Sequence, residues 1–310
     1  MSNYSDSTFA KDKNSSWFKA YNYITKNSTV LDIGCSSGTF GEVLINEKDC
    51  TVDGIEPDAE DFKIAKEKLR NVYKLNIESD DLKSVASKYD YIYLGDVIEH
   101  LVTPIPTLKR LTPLLKSEGK IVFSIPNMSH LSVRLMLLKG EFLYGETGLL
   151  DKTHLHFYTH SEVQRVFRES GYIISKLDPV LKDYPKELLE QELGKVGLKL
   201  TDQFIKFANS TEASVYQFVG VARRDQGKSQ KSQQLDIVSP VDKFQAYLDE
   251  TKKYYENIIT GNEEHINKMQ KNLEDNQALI VQKNRELDKL RRNPVLKLAS
   301  KLKSHRKTAR

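Results

Sequence analysis

The sequence predicts an α/β fold, a mostly parallel sheet with helices on both faces, followed by a C-terminal α-helical coiled coil. Three observations lead there. Short β-type runs alternate with helical runs over residues 1–222, the order that buries a parallel sheet between helices. A glycine-rich turn joins the first of these runs to the helix after it. At Arg223 the composition changes, and beyond it a polar pattern carries apolar residues at heptad spacing.

The elements follow in order. Trp17, Tyr21 and Ile24 recur at helical spacing ahead of the first strand. Strands are expected at Thr29–Ile33, Thr51–Ile55, Val72–Leu75, Tyr91–Leu94 and Lys120–Ile125, short runs rich in β-branched and aromatic residues. Helices are expected near 38–47, 58–70 and 104–116, the last shortened or kinked by Pro113. An irregular segment containing Gly140, Gly145 and Gly148 covers 127–158. Thr159 and Glu162 then spell a T-x-x-E capping box, and Gly171 ends the helix it opens. Tyr172–Leu177 and Ala213–Ala222 read as two further strands around a mostly helical insertion.

The run RRDQGKSQKSQQ has no apolar residue and reads as a flexible linker over 223–240, closing an α/β domain of residues 1–222. Residues 241–293 read as a coiled-coil helix that mediates self-association. Ile259, Ile266, Leu273, Ile280 and Leu287 form one good seam, while a companion series through Asn262, Met269 and Asn276 is only half apolar. The two asparagines would set register, and Gly261 weakens the helix. A single solvated helix docked on the body is the competing reading. Residues 294–310 form a basic amphipathic tail, with Leu296, Leu298 and Leu302 set between Lys297, Lys301 and Lys303. An anionic membrane surface or an acidic partner would suit it, and so would plain solvation.

Composition bounds the function. The 310 residues are 39% apolar and 29% charged, enough for a sizeable core and neither collagenous nor wholly disordered. No stretch approaches the ~18 consecutive apolar residues of a membrane span. The polar start MSNYSDSTFAKDK has no apolar signal core, so a cytoplasmic protein is expected, with the tail offering a peripheral hold on the inner membrane face. The only cysteines, Cys35 and Cys50, exclude a disulfide framework and a multi-cysteine zinc site. Of the net +4, residues 291–310 supply +8 from eight Lys/Arg and no acid, leaving −4 on residues 1–290. An acidic body argues against binding nucleic acid over a broad face.

The first turn reads VLDIGCSSGTFG, spaced G-x-x-x-G-x-x-G rather than the G-x-G-x-x-G of dinucleotide sites. Asp32 lies two residues before Gly34, where a carboxylate would repel a pyrophosphate but attract a cation. S-adenosylmethionine (SAM) carries a sulfonium, an ammonium and no phosphate, so charge selects it over NAD. Glu56, at the end of the second strand, suits both ribose hydroxyls. Asn76 and Ile77 follow the third strand where adenine would lie, Asn76 facing its amine and Ile77 its ring.

The sequence resembles the class I SAM-dependent methyltransferases, and within them the branch akin to the ubiquinone-biosynthesis O-methyltransferases. VLDIGCSSG, GIEPD, YDYIYLGDVIEHL, KSEGKIVFSIPN and GLLDKTHLHFYT carry the likeness, in order over about 30–160. The resemblance implies a Rossmann-like, seven-stranded sheet with a reversed last strand. It also implies SAM held by Asp32, Gly34, Cys35, Gly38, Glu56, Asn76 and Ile77, with Asp96 near the methionine portion. Asn76 departs from the family's usual Asp, and Ser37 from its usual Gly.

Methyl transfer asks mainly for alignment in a dry site, and a hydroxyl acceptor adds the need for a base. Asp96-Val97-Ile98-Glu99-His100 follows the fourth strand, and five of the seven histidines fall between 100 and 160. His100 is the expected base, oriented by Glu99, with His154 as second choice; capping or lid-holding roles compete. No metal is expected in this reading. The alternative is a divalent cation on Asp96, Glu99 and His100 with His154 or His156, which resembles the sites of small-RNA 2′-O-methyltransferases. Phe142, Tyr144, Phe157 and Tyr158 supply aromatics for an acceptor pocket or for lid packing. The expected activity is O-methylation of a small-molecule or glycan hydroxyl, the glycan favoured by a tail resembling those of surface-polysaccharide enzymes. Methylation of nitrogen or carbon stays open, as does a non-catalytic scaffold whose coiled coil and tail recruit partners to a membrane.

Overall fold

The inner strand of a parallel sheet must be apolar on both faces, and Val30, Leu31 and Ile33 of β1 (Thr29–Ile33) are all buried. The computed structural model describes residues 12–227 except Ala86, Asp183 and 209–211, together with residues 260, 263, 266–278, 280–283 and 285. Two compact units emerge, Met1–Lys243 and Phe244–Arg310.

In the first unit, α1 (Ser16–Tyr23) precedes β1, and α2 (Thr39–Lys48), β2 (Thr51–Ile55), α3 (Ala59–Lys68), β3 (Asn71–Tyr73) and β4 (Tyr89–Gly95) follow it. Then come α4 (Pro104–Leu111), β5 (Leu115–Pro126), α5 (Leu131–Leu138), α6 (His160–Glu169) and β6 (Tyr172–Leu181). The insertion α7 (Lys186–Gly194) and α8 (Asp202–Ala208) leads to β7 (Val215–Arg224). The seven strands form one sheet in the order β3-β2-β1-β4-β5-β7-β6. β7 runs antiparallel to both neighbours, β5 and β6, so the sheet is the Rossmann-like one with a reversed last strand. Strand order reverses between β1 and β4, which opens a crevice at the carboxyl edge there.

Local chemistry explains most boundaries. Ser15 caps α1 by accepting from Phe18 N, and Asp58 caps α3 by accepting from Glu60 N and Asp61 N. Pro113 ends α4 at Leu111, and a single 3₁₀ turn over Thr112–Leu114 replaces the rest of the expected helix. Phe40, on α2, bridges Trp17 of α1 and Tyr93 of β4 with ring centroids 5.6 and 4.3 Å away.

Several expectations need correction. β5 starts at Leu115, five residues early, because Leu115 pairs with Tyr89 ahead of a register irregularity, while Lys116–Glu118 stay exposed. β6 continues past Leu177 to Leu181 through Pro179, which an edge strand tolerates because one face of its ladder needs no donor. β7 extends to Arg224, two residues into the expected linker. The T-x-x-E box does not close: Thr159 makes no capping bond, since Glu162 pairs with Arg165 and Thr159 turns to Ser161. Gly171, at φ 84°, does follow the end of α6.

In the second unit the described residues are helical, and Ile266, Leu273 and Ile280 of the expected seam are exposed, as is Met269. Ile259, Gly261, Asn262 and Leu287, residues 228–240 of the linker and the tail 294–310 lie outside the described residues. Among the described residues, no helix is long and apolar enough to cross a membrane.

Candidate active site

The turn after β1 winds through three residues in the left-handed region: Gly34 (φ 68°), Ser36 (47°) and Gly38 (75°). A side chain at Gly34 would place its Cβ 2.9 Å from Val97 Cγ2, and one at Gly38 would meet Ala65 Cα at 3.1 Å. Glycine therefore lets the loop close against both neighbours. Ser36 is held there by the Glu56 carboxylate, which accepts its N–H at 2.8 Å and that of Asp58 at 2.8 Å. Cys35 turns inward, and a Cβ on Gly54 would lie 2.6 Å from its Sγ, so its side chain packs the turn instead of lining the crevice.

Asp32 is 2% exposed, and none of the described residues offers it a cation. Burial, with the Glu56 charge adding to it, pushes its carboxyl up to about 8. Burial also raises Glu56, partly offset by its two backbone donors. Tyr93, the register partner of Asp32 on β4, has a buried hydroxyl without a hydrogen-bond partner among the described residues. Such a crevice lacks positive charge and so matches a cationic ligand. Ile77 is buried beyond β3, and Asn76 is exposed with its Oδ1 accepting Glu78 N at 2.8 Å.

Beyond β4, Asp96 takes a left-handed conformation, φ 55°. Ser124 of β5 accepts its N–H at 3.1 Å and donates to its Oδ1 at 2.9 Å, and Gln217 of β7 donates to the same oxygen. Burial raises this carboxyl, with Ser124 and Gln217 working against it. The next turn, Ile98–His100, carries Glu99 and His100. Glu99 is 1% exposed and neither of its oxygens has a partner among the described residues, so burial, reinforced by Asp96, holds its carboxyl well above the usual range. The expected hydrogen bond from Glu99 to His100 is thus not made.

Instead, His100 Nδ1 lies 3.2 Å from the Thr153 carbonyl and 3.2 Å from Thr153 Oγ1. His154 Nδ1 lies 3.2 Å from the Leu149 carbonyl. A carbonyl only accepts, so both rings carry the proton on Nδ1 and leave the Nε2 lone pair free. The rings meet edge to face at 4.9 Å, and Glu99, His100 and His154 each offer a ligand atom within 4.8 Å of the others. Burial lowers the His154 pKa, with the His100 charge adding to it. Asp96 is not part of this cluster. His156 is diverted, its Nε2 facing the Val102 carbonyl at 3.3 Å. His130 is structural: it caps α5 and, pushed down to about 4 by burial, faces the Lys182 carbonyl through Nε2. Phe142, Tyr144 and Phe157 form a ring cluster beside Met136 and Leu149.

Residues that sequence reasoning missed are Thr153, Asp151, Ser124, Gln217 and Glu78. Glu78 accepts Val102 N at 3.0 Å and Thr103 N at 2.7 Å, which holds the loop after His100. Three of the five sit in the motif strings and Glu78 directly follows Asn76 and Ile77, so residue type was visible although partnership was not. Gln217 carried no sequence signal.

A family model described as a methyltransferase domain matches residues 9–177, more than half of the chain. The chain belongs to this family. This methyltransferase is an enzyme of the class I type, and its methyl donor is SAM. It is similar to the ubiquinone biosynthesis O-methyltransferase of Nitrosospira multiformis, 26% identical over 165 residues covering 50% of this chain and 69% of the relative. The enzyme of the same name from Hydrogenovibrio crunogenus is 24% identical over 169 residues, covering 51% and 70%. Among solved structures, a SAM-dependent methyltransferase from Archaeoglobus fulgidus matches with a TM-score of 0.47 at 19% identity, covering 71% of this chain and 97% of that one.

Proposed function

We propose that this SAM-dependent methyltransferase acts on oxygen, with His100 as the general base. The observation that carries the reading is the pinned Nδ1–H of His100, which leaves Nε2 basic beside the strand edge. When bound, SAM supplies a methyl group on a positive sulfur and leaves as the neutral thioether. Asp32 answers its positive charge, Glu56 its ribose hydroxyls and Asp96 its ammonium, while Gly34 and Gly38 allow close approach of backbone. Ile77 covers the adenine, and the second lone pair of Asn76 Oδ1 accepts its amine. Cys35 contributes packing. The acceptor hydroxyl gives its proton to His100 Nε2 as its oxygen takes the methyl group. O-methylation by the relatives named above supports oxygen as the acceptor atom, on a small molecule or a glycan end.

His100→Ala should cut turnover by roughly 10²–10⁴-fold while SAM affinity, read by calorimetry, stays put. Unchanged turnover in that variant retires the base.

A second reading is favoured by one observation, the two partnerless oxygens of buried Glu99. Glu99, His100 and His154 offer the oxygen and nitrogen donors a divalent cation takes, and such an ion would lower the pKa of an acceptor hydroxyl. Loss of turnover in EDTA, restored by Mg²⁺ or Mn²⁺, is the expected result of this reading; full turnover in EDTA removes it.

The exposed seam of Ile266, Leu273 and Ile280 supports self-association of the C-terminal helix. Leu273→Asp should shift sedimentation of the full chain to a smaller species, and no shift would leave the solvated-helix reading.

A further inference from the structure

We infer that Thr153, anchored by Asp151, is the positioning residue that fixes the proton of His100 on Nδ1 and aims Nε2 at the reacting edge; this rests on the reading of His100 given above. Asp151 Oδ1 accepts the Thr153 N–H at 2.8 Å and the Thr153 hydroxyl at 2.7 Å. With its only proton committed to Asp151, Thr153 Oγ1 presents lone pairs to its other neighbour. That neighbour is His100 Nδ1 at 3.2 Å, and the carbonyl of the same threonine stands at 3.2 Å as a second acceptor. Two acceptors from one residue leave a single tautomer satisfied, the one protonated on Nδ1.

The arrangement also responds to the chemistry. When Nε2 takes up a proton, the ring becomes a cation whose other N–H already points at two oxygens backed by a carboxylate. Burial opposes the charge on Asp151, but the hydroxyl and N–H of Thr153 outweigh it and hold the carboxyl below its ordinary range. Leu155 N and His156 N donate to the Glu99 carbonyl at 2.8 and 3.1 Å, which ties the segment carrying Thr153 to the turn carrying His100. The relay therefore spans two elements far apart in sequence and locks them in one register. If His100 serves as a metal ligand, the same contacts select the same free nitrogen.

The test uses the full chain with ¹⁵N-labelled histidine. The seven histidines are resolved by comparison with His100→Ala. In the parent protein the His100 signals should report Nδ1–H and a free Nε2. Asp151→Ala should mix the tautomers and cut turnover roughly 10- to 100-fold, as loss of an outer orienting partner does. Thr153→Val should act in the same direction with a smaller loss, and Thr153→Ser should restore both readouts. SAM affinity should not move in any of them. An unmoved His100 signal with full turnover in Asp151→Ala overturns the relay. If His100→Ala retains turnover, the base reading fails, but the ring signal still decides the relay by itself. Thr153 is exposed, so Thr153→Val keeps the fold and serves where Asp151→Ala does not.

Discussion

Asp53 on β2 and Asp32 on the adjoining β1 are both buried to within 2% of complete, yet they live in opposite surroundings. Asp53 accepts from Arg70 Nε at 2.8 Å and Nη2 at 2.5 Å, from Asn71 at 3.0 Å and from the Tyr89 hydroxyl at 2.7 Å. Burial works to raise its pKa, but Arg70, Tyr89 and Asn71 win and leave it lowered. Asp32, at the carboxyl end of its strand, has no such donors among the described residues and rises to about 8. Glu99 is the extreme case, with no partner for either oxygen among the described residues. A satisfied buried carboxylate ties strands together, whereas an unsatisfied one stores a binding preference that a ligand must complete. The sheet keeps the first kind near β3 and the second kind along the crevice between β1 and β4.

The largest effect expected from breaking this contrast is on donor binding. Asp32→Asn should weaken SAM by roughly a hundredfold or more in calorimetry, the scale for removing one partner of a desolvated charge pair. Unchanged affinity would mean that Asp32 does not answer the sulfonium or ammonium. Next in size, Arg70→Met should cost about 3 kcal/mol in chemical denaturation, because Asp53 is left buried and charged. A loss below about 1 kcal/mol would make the Asp53 cluster ordinary surface electrostatics.

The smallest effect is one of sign. With Asp32 raised, the folded chain binds a proton that the unfolded chain has released above its ordinary value, about 4. Its stabilising contribution is complete below that value and fades as pH rises through about 8. Asp53, lowered in the fold, contributes above its unfolded value and loses that contribution as pH falls through the folded one. The melting temperature of Asp32→Asn relative to the parent should therefore climb from pH 5 to pH 8. A flat difference would remove the proton from Asp32.

How much of this was legible beforehand depended on where the information lay. β1 and β2 appear at their expected bounds because Val, Leu and Ile must be buried on both sides of an inner strand. Asp32, Gly34, Gly38, Glu56 and Asp96 could be expected near one another because they lie at or just beyond the carboxyl ends of β1, β2 and β4, and parallel strands end at one edge. Polar Lys116–Glu118 concealed the start of β5, which rests on one irregular pair with β4, and Pro179 concealed the end of β6, since propensity does not say which strand lies at a sheet's edge. Glu162 looked like a capping residue until Arg165, one turn along, claimed it.

Residue order alone therefore settled the fold class and pointed to a positively charged donor, because these follow from local burial, strand direction and charge. Tertiary contact decided the partners: Thr153 rather than Glu99 hydrogen-bonded to His100, His154 rather than His156 in the cluster, and Gln217 donating to Asp96. The first two depend on how a loop some fifty residues away folds back over the strand edge, and the third on a strand 121 residues away. A hydrogen bond needs atoms within about 3 Å, a distance no spacing in the chain can encode.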